Sequence, residues 1–437
     1  PVLFSKSRGN TIDVNNLAKW FGIKYLFLED KLDPIEKYKN DPENWKLVDK
    51  AGVWQFDKAP EMYSWTVRKP ALLVIGSKVK RAFEPFFRVS VNGGFSYDDG
   101  WLVPGKENVD DYSLDELKKF DTLVLFGYSY KNRGNAFNML SKYVKEGGNL
   151  FISSGWQYVD KDWKIKKAPE FFPVEDLEWS TKYDKNSHYL MEDKEIGGNI
   201  DLSKFSPLEW SNQAWGVSVP STGKREWART VLSVDGKPLV VVGKYGNGKV
   251  MWTGINWPGH ISTYNFNKEE MKFFNNILRY LSETGVEDEK LQTQKMQAIR
   301  NYPDKVTFIF NDSTTNNSTL YWRESQFENW HAKLINAKGE TKDIKIYKAG
   351  PGLMLMRLPP IDSKSKLLLE FSTGLRTLFG RVISVLTLLG LLLYVIFGEK
   401  LFKFLTSRIS LKLKNRLPKT KISMLKWLNT SEEEEKY

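Results

Sequence analysis

Apolar and polar positions follow different rhythms in different parts of this chain, and each rhythm predicts its own element. Continuous apolar runs occur at Ala71-Leu-Leu-Val-Ile-Gly76, Thr122-Leu-Val-Leu-Phe-Gly127 and Asn149-Leu-Phe-Ile-Ser-Ser-Gly155. Two more follow at Pro238-Leu-Val-Val-Val-Gly243 and Lys249-Val-Met-Trp-Thr-Gly254. Such runs, ending at glycine, read as strands buried on both faces. Helix signals stand between them. Ser113 and Glu116 make a capping-box pattern, and a helix over Ala136–Lys145 is stopped by Gly147-Gly148. This alternation predicts a parallel sheet with right-handed crossovers across residues 67–285. Residues 156–228 are rich in Trp, Lys and Asp without clean periodicity and read as an insertion.

The rhythm changes to period two over 303–375, where Val306, Phe308 and Phe310, then Leu353 and Leu355, then Leu367, Leu369 and Phe371 share strand faces. That predicts a small antiparallel β-sandwich. Residues 1–66 read as a small α/β segment, with Asp13 capping a helix and a hairpin of Trp45–Val48 with Gly52–Phe56 across Lys50-Ala51. Residues 286–302 read as a charged linker.

Near the end, Val382–Phe397 is sixteen residues without a charge. With its flanks it approaches the roughly 20 residues a bilayer-crossing helix requires, so 376–402 is expected to be a transmembrane helix. Ten Lys and Arg against five Glu follow from Phe397 to Tyr437. The positive-inside rule makes 403–437 a basic cytoplasmic tail and places the bulk of the chain outside a cell membrane. Since the chain begins at Pro1 without a signal peptide, it reads as the C-terminal part of a longer protein.

Charge changes the picture less than its size suggests. The net +12 is concentrated beside the expected membrane, where it reads as attraction to anionic lipid and not to nucleic acid. The chain has no Cys and three His. Disulfides, thiolate zinc and a Cys nucleophile are excluded, and neither a metal nor a cofactor is expected.

Several stretches invite a chemical reading. Gly243-Lys-Tyr-Gly-Asn-Gly-Lys-Val250 approaches a phosphate loop, but Val250 stands where Ser or Thr must hold Mg²⁺, and a hairpin turn at Gly246-Asn247-Gly248 explains the glycines. Ser153 or Ser154 with His260 as base would make a nucleophilic pair, yet Gly155-Trp156-Gln157 lacks the Gly-x-Ser-x-Gly elbow. Asp98-Asp99 and Asp110-Asp111 are neighbours in sequence, which seldom converge on one bond. Asn256, Trp257 and His260, together with Trp156, are the candidate binding residues at the carboxyl edge of the sheet; the competing reading is a loop packed on the insertion. Asn311, Asn316 and Asn317 begin N-glycosylation sequons.

Ala71–Gly76, Lys145-Glu-Gly-Gly-Asn-Leu-Phe-Ile-Ser-Ser154 and Val242–Asn256 resemble class I glutamine amidotransferase-like domains. In that family a Cys follows the third strand, where this chain has Ser153, Ser154 and Gly155. The segments Leu320–Leu334 and Ile346–Pro359 are similar to the extracytoplasmic β-sandwich of GT-C-like multi-pass membrane proteins, some of them called 6-pyruvoyl-tetrahydropterin synthase-related. The expected fold is therefore α/β with an amidotransferase-like parallel sheet, plus a small antiparallel β-sandwich and one C-terminal transmembrane helix. The resemblance implies a catalytically inactive portion of a protein of lipid-linked sugar transfer, acting as scaffold or glycan-binding surface. Membrane lipid, a glycan or lipid-linked sugar, and other membrane-protein subunits are the implied partners. The alternatives are a single-span surface protein for adhesion or assembly, and an ectoenzyme using Trp156, Trp257 and His260. No catalytic residue is assigned.

Overall fold

The long apolar runs all become strands of one eight-stranded sheet. In the computed structural model, which describes residues 13–27, 39–49, 52–67, 69–76, 83–95, 97–282, 292–372, 378–393 and 395, its order is Tyr189–Met191, Ala228–Val234, Lys237–Tyr245, Gly248–Thr253, Asn149–Ser153, Thr122–Phe126, Ala71–Gly76 and Trp101–Pro104. The last five strands are parallel neighbours. The first three join them through antiparallel pairings. Tyr245 faces Gly248 across a two-residue turn in which Gly246 has φ 63°, a conformation glycine adopts without steric cost. Helix Lys268–Ser282 buries Met271, Phe274, Ile277, Leu278 and Leu281 at helical spacing, the stripe a core-facing helix needs.

The remaining strands are antiparallel. Two five-stranded sheets use the period-two segments. One runs Gln292–Thr293, Tyr63–Val67, Ser318–Ser325, Leu353–Leu358, Ile346–Ala349; the other runs Met296–Tyr302, Lys305–Phe310, Lys366–Phe371, Trp330–Ile335, Thr341–Ile344. Strand Tyr63–Val67, which precedes the central sheet in sequence, thus pairs with Ser318–Ser325 far downstream. Near the N-terminus a three-stranded sheet centres on Val53–Phe56. Trp45, Trp54 and Phe56 close a small core against Val14 and Ala18 of helix Val14–Phe21. The turn at Lys50-Ala51 lies outside the described residues.

The expected fold class is corrected by these pairings. The chain is dominated by strands in mixed and antiparallel sheets and is not built on a purely parallel sheet. Burial on both faces makes a strand apolar throughout whichever way its neighbours run, so the pattern could not distinguish the two.

The C-terminal expectation is corrected as well. Residues 371–437 form a unit of their own. Its described helix, 378–393, is exposed along its whole length, with Ser384 and Thr387 bonding back to the carbonyls of Gly380 and Ile383. Among the described residues no helix is long and apolar enough to cross a membrane. That overturns the transmembrane helix at 376–402, and the membrane location and outside placement drawn from it. The basic tail at 403–437 lies outside the described residues.

The unit Pro1–Glu370 is tied together at Trp20. Its ring is fully buried and meets Phe87, Tyr97, Trp101 and Tyr321 edge-on at 5.5–5.8 Å. These four come from a helix, a loop, an edge strand of the central sheet and a sandwich strand. The Tyr321 hydroxyl donates to the Trp20 carbonyl at 3.0 Å. Arg323 donates twice to the Lys19 carbonyl. Trp20→Ala removes a fully buried indole that no neighbour can replace. It is expected to cost about 3–5 kcal/mol, read as a lowered midpoint in chemical denaturation.

Candidate functional site

The carboxyl ends of the parallel strands are where an open sheet of this kind offers a ligand crevice. Here the ends of Thr122–Phe126 and Asn149–Ser153 are held by two buried carboxylates. Asp160 accepts from the Gly127 N–H at 2.6 Å, the Trp156 N–H at 2.9 Å and the Ser153 hydroxyl at 3.0 Å. Gly127 turns its N–H inward at φ 63°, with Trp156 and Val159 against its open side. Asp162 accepts from the hydroxyls of Tyr128 and Tyr130 at 2.7 and 3.1 Å. The Ser218 hydroxyl lies 2.6 Å from the carbonyls of both Ser154 and Trp163. Residues 156–163 are thereby fastened to the sheet at several points.

Burial raises the Asp160 carboxyl from 3.8 to about 7, against the three hydrogen bonds that favour its charge. Burial also raises Asp162, again opposed by its tyrosine donors. The Tyr128 hydroxyl is pushed well up, by burial first and then by Asp162. A carboxylate near 7 in a pocket would suit proton transfer. Asp160, however, is buried with every donor around it engaged in holding the loop.

The sequence candidates separate in the structure. Asn256 caps helix Trp257–Thr263 by accepting from the Gly259 N–H. Trp257 and His260 are fully buried, and Trp156 is half-buried, its ring 5.3 Å from Phe126. His260 is held at both ring nitrogens, 3.1 Å from Glu270 and 3.1 Å from the Pro207 carbonyl. The other Glu270 oxygen accepts from the Ser206 N–H. Ser153 gives its hydroxyl to Asp160, and the buried Ser154 hydroxyl has no partner among the described residues. Gly155 leaves no room beside it, since a Cβ there would lie 2.1 Å from the Ile255 carbonyl carbon. His260, held by Glu270 and the Pro207 carbonyl, serves neither serine, and Asp160, which does reach Ser153, is tied to the Gly127 and Trp156 N–H groups.

Other motifs resolve into structural contacts. Asp98 pairs with Lys19 and Asp99 with Arg279. Asp110 accepts from the Lys131 and Asn132 N–H groups. Lys249 donates to the Tyr280 carbonyl. The sequon residues Asn311, Asn316 and Asn317 are exposed. Among the described residues no group of His, Asp and Glu is arranged to hold a metal.

The fastened loop carries a feature the sequence reading missed. Tyr158 has φ 64° and its side chain is 76% exposed. Its ring stands 5.3 Å from Trp163, and Trp163 stands 5.7 Å from Trp179. Trp179 lies on strand Glu178–Ser180, paired with Val217–Val219. The three rings form an edge-to-face ridge in which Tyr158 is exposed and Trp163 and Trp179 are half-buried. The spacing Tyr158–Trp163 within an aperiodic segment was the available signal, but it does not show the positive φ of Tyr158 or its exposure.

A family model described as a domain of unknown function, DUF8560, matches residues 101–260. No curated protein matches the chain. Among solved structures, the chain is similar to the cytoplasmic protein STM3548 from Salmonella typhimurium, at 18% identity and TM-score 0.34 over 48% of this chain and 98% of that one. It is also similar to a ThuA-like protein from Bacteroides uniformis, at 14% identity and TM-score 0.32 over 49% of this chain and 91% of that one. A beta-galactosidase from Bacillus circulans aligns at 10% identity and TM-score 0.28 over 70% of this chain and 42% of that one. Likenesses this distant assign no activity. The match to DUF8560, together with the finding that no described helix is long and apolar enough to cross a membrane, overturns the resemblance to the GT-C-like, pterin synthase-related membrane family, and with it the amidotransferase-like assignment.

The anchoring role of Asp160 has a pH signature. Its folded value lies above its unfolded value, so its contribution is full below about 3.8 and is lost as pH rises through about 7. Between those values the wild-type chain should lose up to about 1.4 kcal/mol of stability per pH unit from this group. Asp160→Asn should flatten that slope and lower stability overall, because its one acceptor oxygen faces three donors. Unfolding midpoints from pH 4 to 8 measure both.

Proposed function

We propose that the chain is a non-catalytic glycan-binding module whose binding surface is the ridge of Tyr158, Trp163 and Trp179. The observation that carries this reading is the exposed Tyr158 ring, held outward on a loop pinned by Asp160 and Asp162. A pyranose presents a face of C–H groups that stacks on an aromatic ring, and its hydroxyls remain free to bond polar neighbours. A ring fixed in advance loses little freedom on binding. Lys161 and Lys164 are exposed beside the ridge and supply donors for sugar hydroxyls. The sealed surroundings of Ser153, Ser154 and His260 support binding without turnover.

A second reading, assembly with another protein, draws on the three-stranded sheet. Tyr25 and Phe27 are 54% and 70% exposed on it, a patch of the kind that marks contact surfaces. The two readings diverge in one experiment. Affinity electrophoresis of the full chain through gels cast with a panel of neutral and acidic polysaccharides should show retardation by at least one. Tyr158→Ala and Trp163→Ala should each weaken that binding about tenfold, with circular dichroism unchanged. If no polysaccharide retards the wild-type chain, or the two variants bind as well as it does, the glycan reading fails.

A further inference from the structure

The loop that carries the ridge is fastened by two acids and no base. Asp160 and Asp162 stand one residue apart, 1% and 3% exposed. Their hydrogen-bond donors are all neutral: the Gly127 and Trp156 N–H groups and the Ser153 hydroxyl at Asp160, the Tyr128 and Tyr130 hydroxyls at Asp162. Arg133 of helix Arg133–Lys145 and Lys161 of the loop favour charge on Asp162, and Asp162 in turn opposes charge on Asp160. Among the described residues no cation lies in hydrogen-bond contact with either carboxyl.

A carboxylate taken out of water without a cation favours its neutral form. The closed loop therefore holds Asp160 most firmly when it is protonated. A neutral carboxyl keeps one oxygen as acceptor for the Gly127 N–H, and the Ser153 hydroxyl accepts as readily as it donates. When the loop detaches, Asp160 returns to water and ionises freely.

Tyr158 is coupled to the same anchor. The N–H groups of Val159 and Asp160 both donate to the Trp156 carbonyl, so 156–160 is a single turn with Tyr158 inside it. At φ 64°, Tyr158 occupies a region that a bulky residue keeps only while its surroundings hold it there. Its ring contact with Trp163 spans both acids.

We infer that residues 156–163 are a proton-operated latch: protonation of Asp160 fastens the loop in the form that presents Tyr158, and ionisation releases it, so that the ridge binds best in mild acid. The ligand named here rests on the glycan reading; the latch is a property of the loop alone. Burial raises the Asp160 carboxyl from 3.8 to about 7 in the closed loop. Closing thus takes up a proton between those values, is favoured by acid and loses that advantage as pH rises through about 7. From pH 5 to pH 8 the ratio of open to closed loop should rise at least about tenfold.

Hydrogen exchange of the full chain, read by mass spectrometry as protection relative to the unstructured rate at each pH, tests the latch without a ligand. Protection of 156–163 should fall at least about tenfold from pH 5 to pH 8, while strand Lys237–Tyr245 stays constant. Asp160→Asn should remove most of that dependence. Affinity electrophoresis in neutral polysaccharides at pH 5.5 and 8 should show binding weakened to a similar degree at the higher pH. Loop protection that does not change with pH in the wild-type chain would overturn the latch, as would an unaltered dependence in Asp160→Asn. Binding that stays constant while protection falls would overturn its control of the ridge. If no polysaccharide retards the chain at either pH, the glycan reading fails by itself and the exchange result decides the latch.

Discussion

The burial of Trp20 is the interaction on which the large unit depends. One indole from an N-terminal helix meets rings from the central sheet, its flanking helix and the sandwich. Edge-to-face rings add to the area they bury, and here they also join parts of the chain about 300 residues apart, since Tyr321 bonds the Trp20 carbonyl with a sequence separation of 301. Lys69 completes the junction. Its ammonium lies 3.7 Å from the Tyr97 ring centroid and 3.5 Å from that of Trp101. Burial holds its pKa well below the usual lysine value. Two electron-rich ring faces replace part of its hydration there, and the nearby charges of Asp98 and Asp99 favour the ammonium against burial.

The same economy governs the carboxyl edge of the central sheet. A sheet of this kind places strand ends side by side, and enzymes commonly load that crevice with reactive groups. In this chain the groups are turned to anchoring. Asp160 and Asp162 take hydrogen bonds from two N–H groups and three hydroxyls, and His260 is clamped between Glu270 and a backbone carbonyl. Polar residues fully engaged in a dry interior add rigidity, provided that each donor has its acceptor. What they hold rigid is the loop that presents Tyr158 to solvent.

The proposed binding surface follows from the topology of the central sheet. The carboxyl ends of the parallel strands lead into long loops and an aromatic ridge. The amino ends meet the sandwich through lysines and Arg357. Because strand Tyr63–Val67 belongs to the sandwich while Ala71–Gly76 belongs to the central sheet, the chain is committed to packing these two bodies together.

The sequence by itself determined the long strands of the central sheet and several helices, but not strand Met296–Tyr302, in the segment read as a linker, nor Tyr189–Met191, in the segment read as an insertion. Apolar runs ending at glycine, period-two alternation and caps such as Asp13 and Ser113 are local properties, readable without knowing any partner. It could not determine the direction of neighbouring strands, because Lys237–Tyr245 is as apolar beside an antiparallel neighbour as it would be beside a parallel one. Nor could it tell Trp257 and His260, buried by the insertion, from residues lining an open cleft. The apolar run near the C-terminus matched a membrane-crossing pattern in composition, yet the described helix is not long and apolar enough to cross. Tertiary structure alone decided that Asp160 anchors a loop and that Tyr158 faces solvent. Each of these depends on contacts between residues distant in sequence or on a backbone angle that neighbours impose, and neither is encoded in a local pattern.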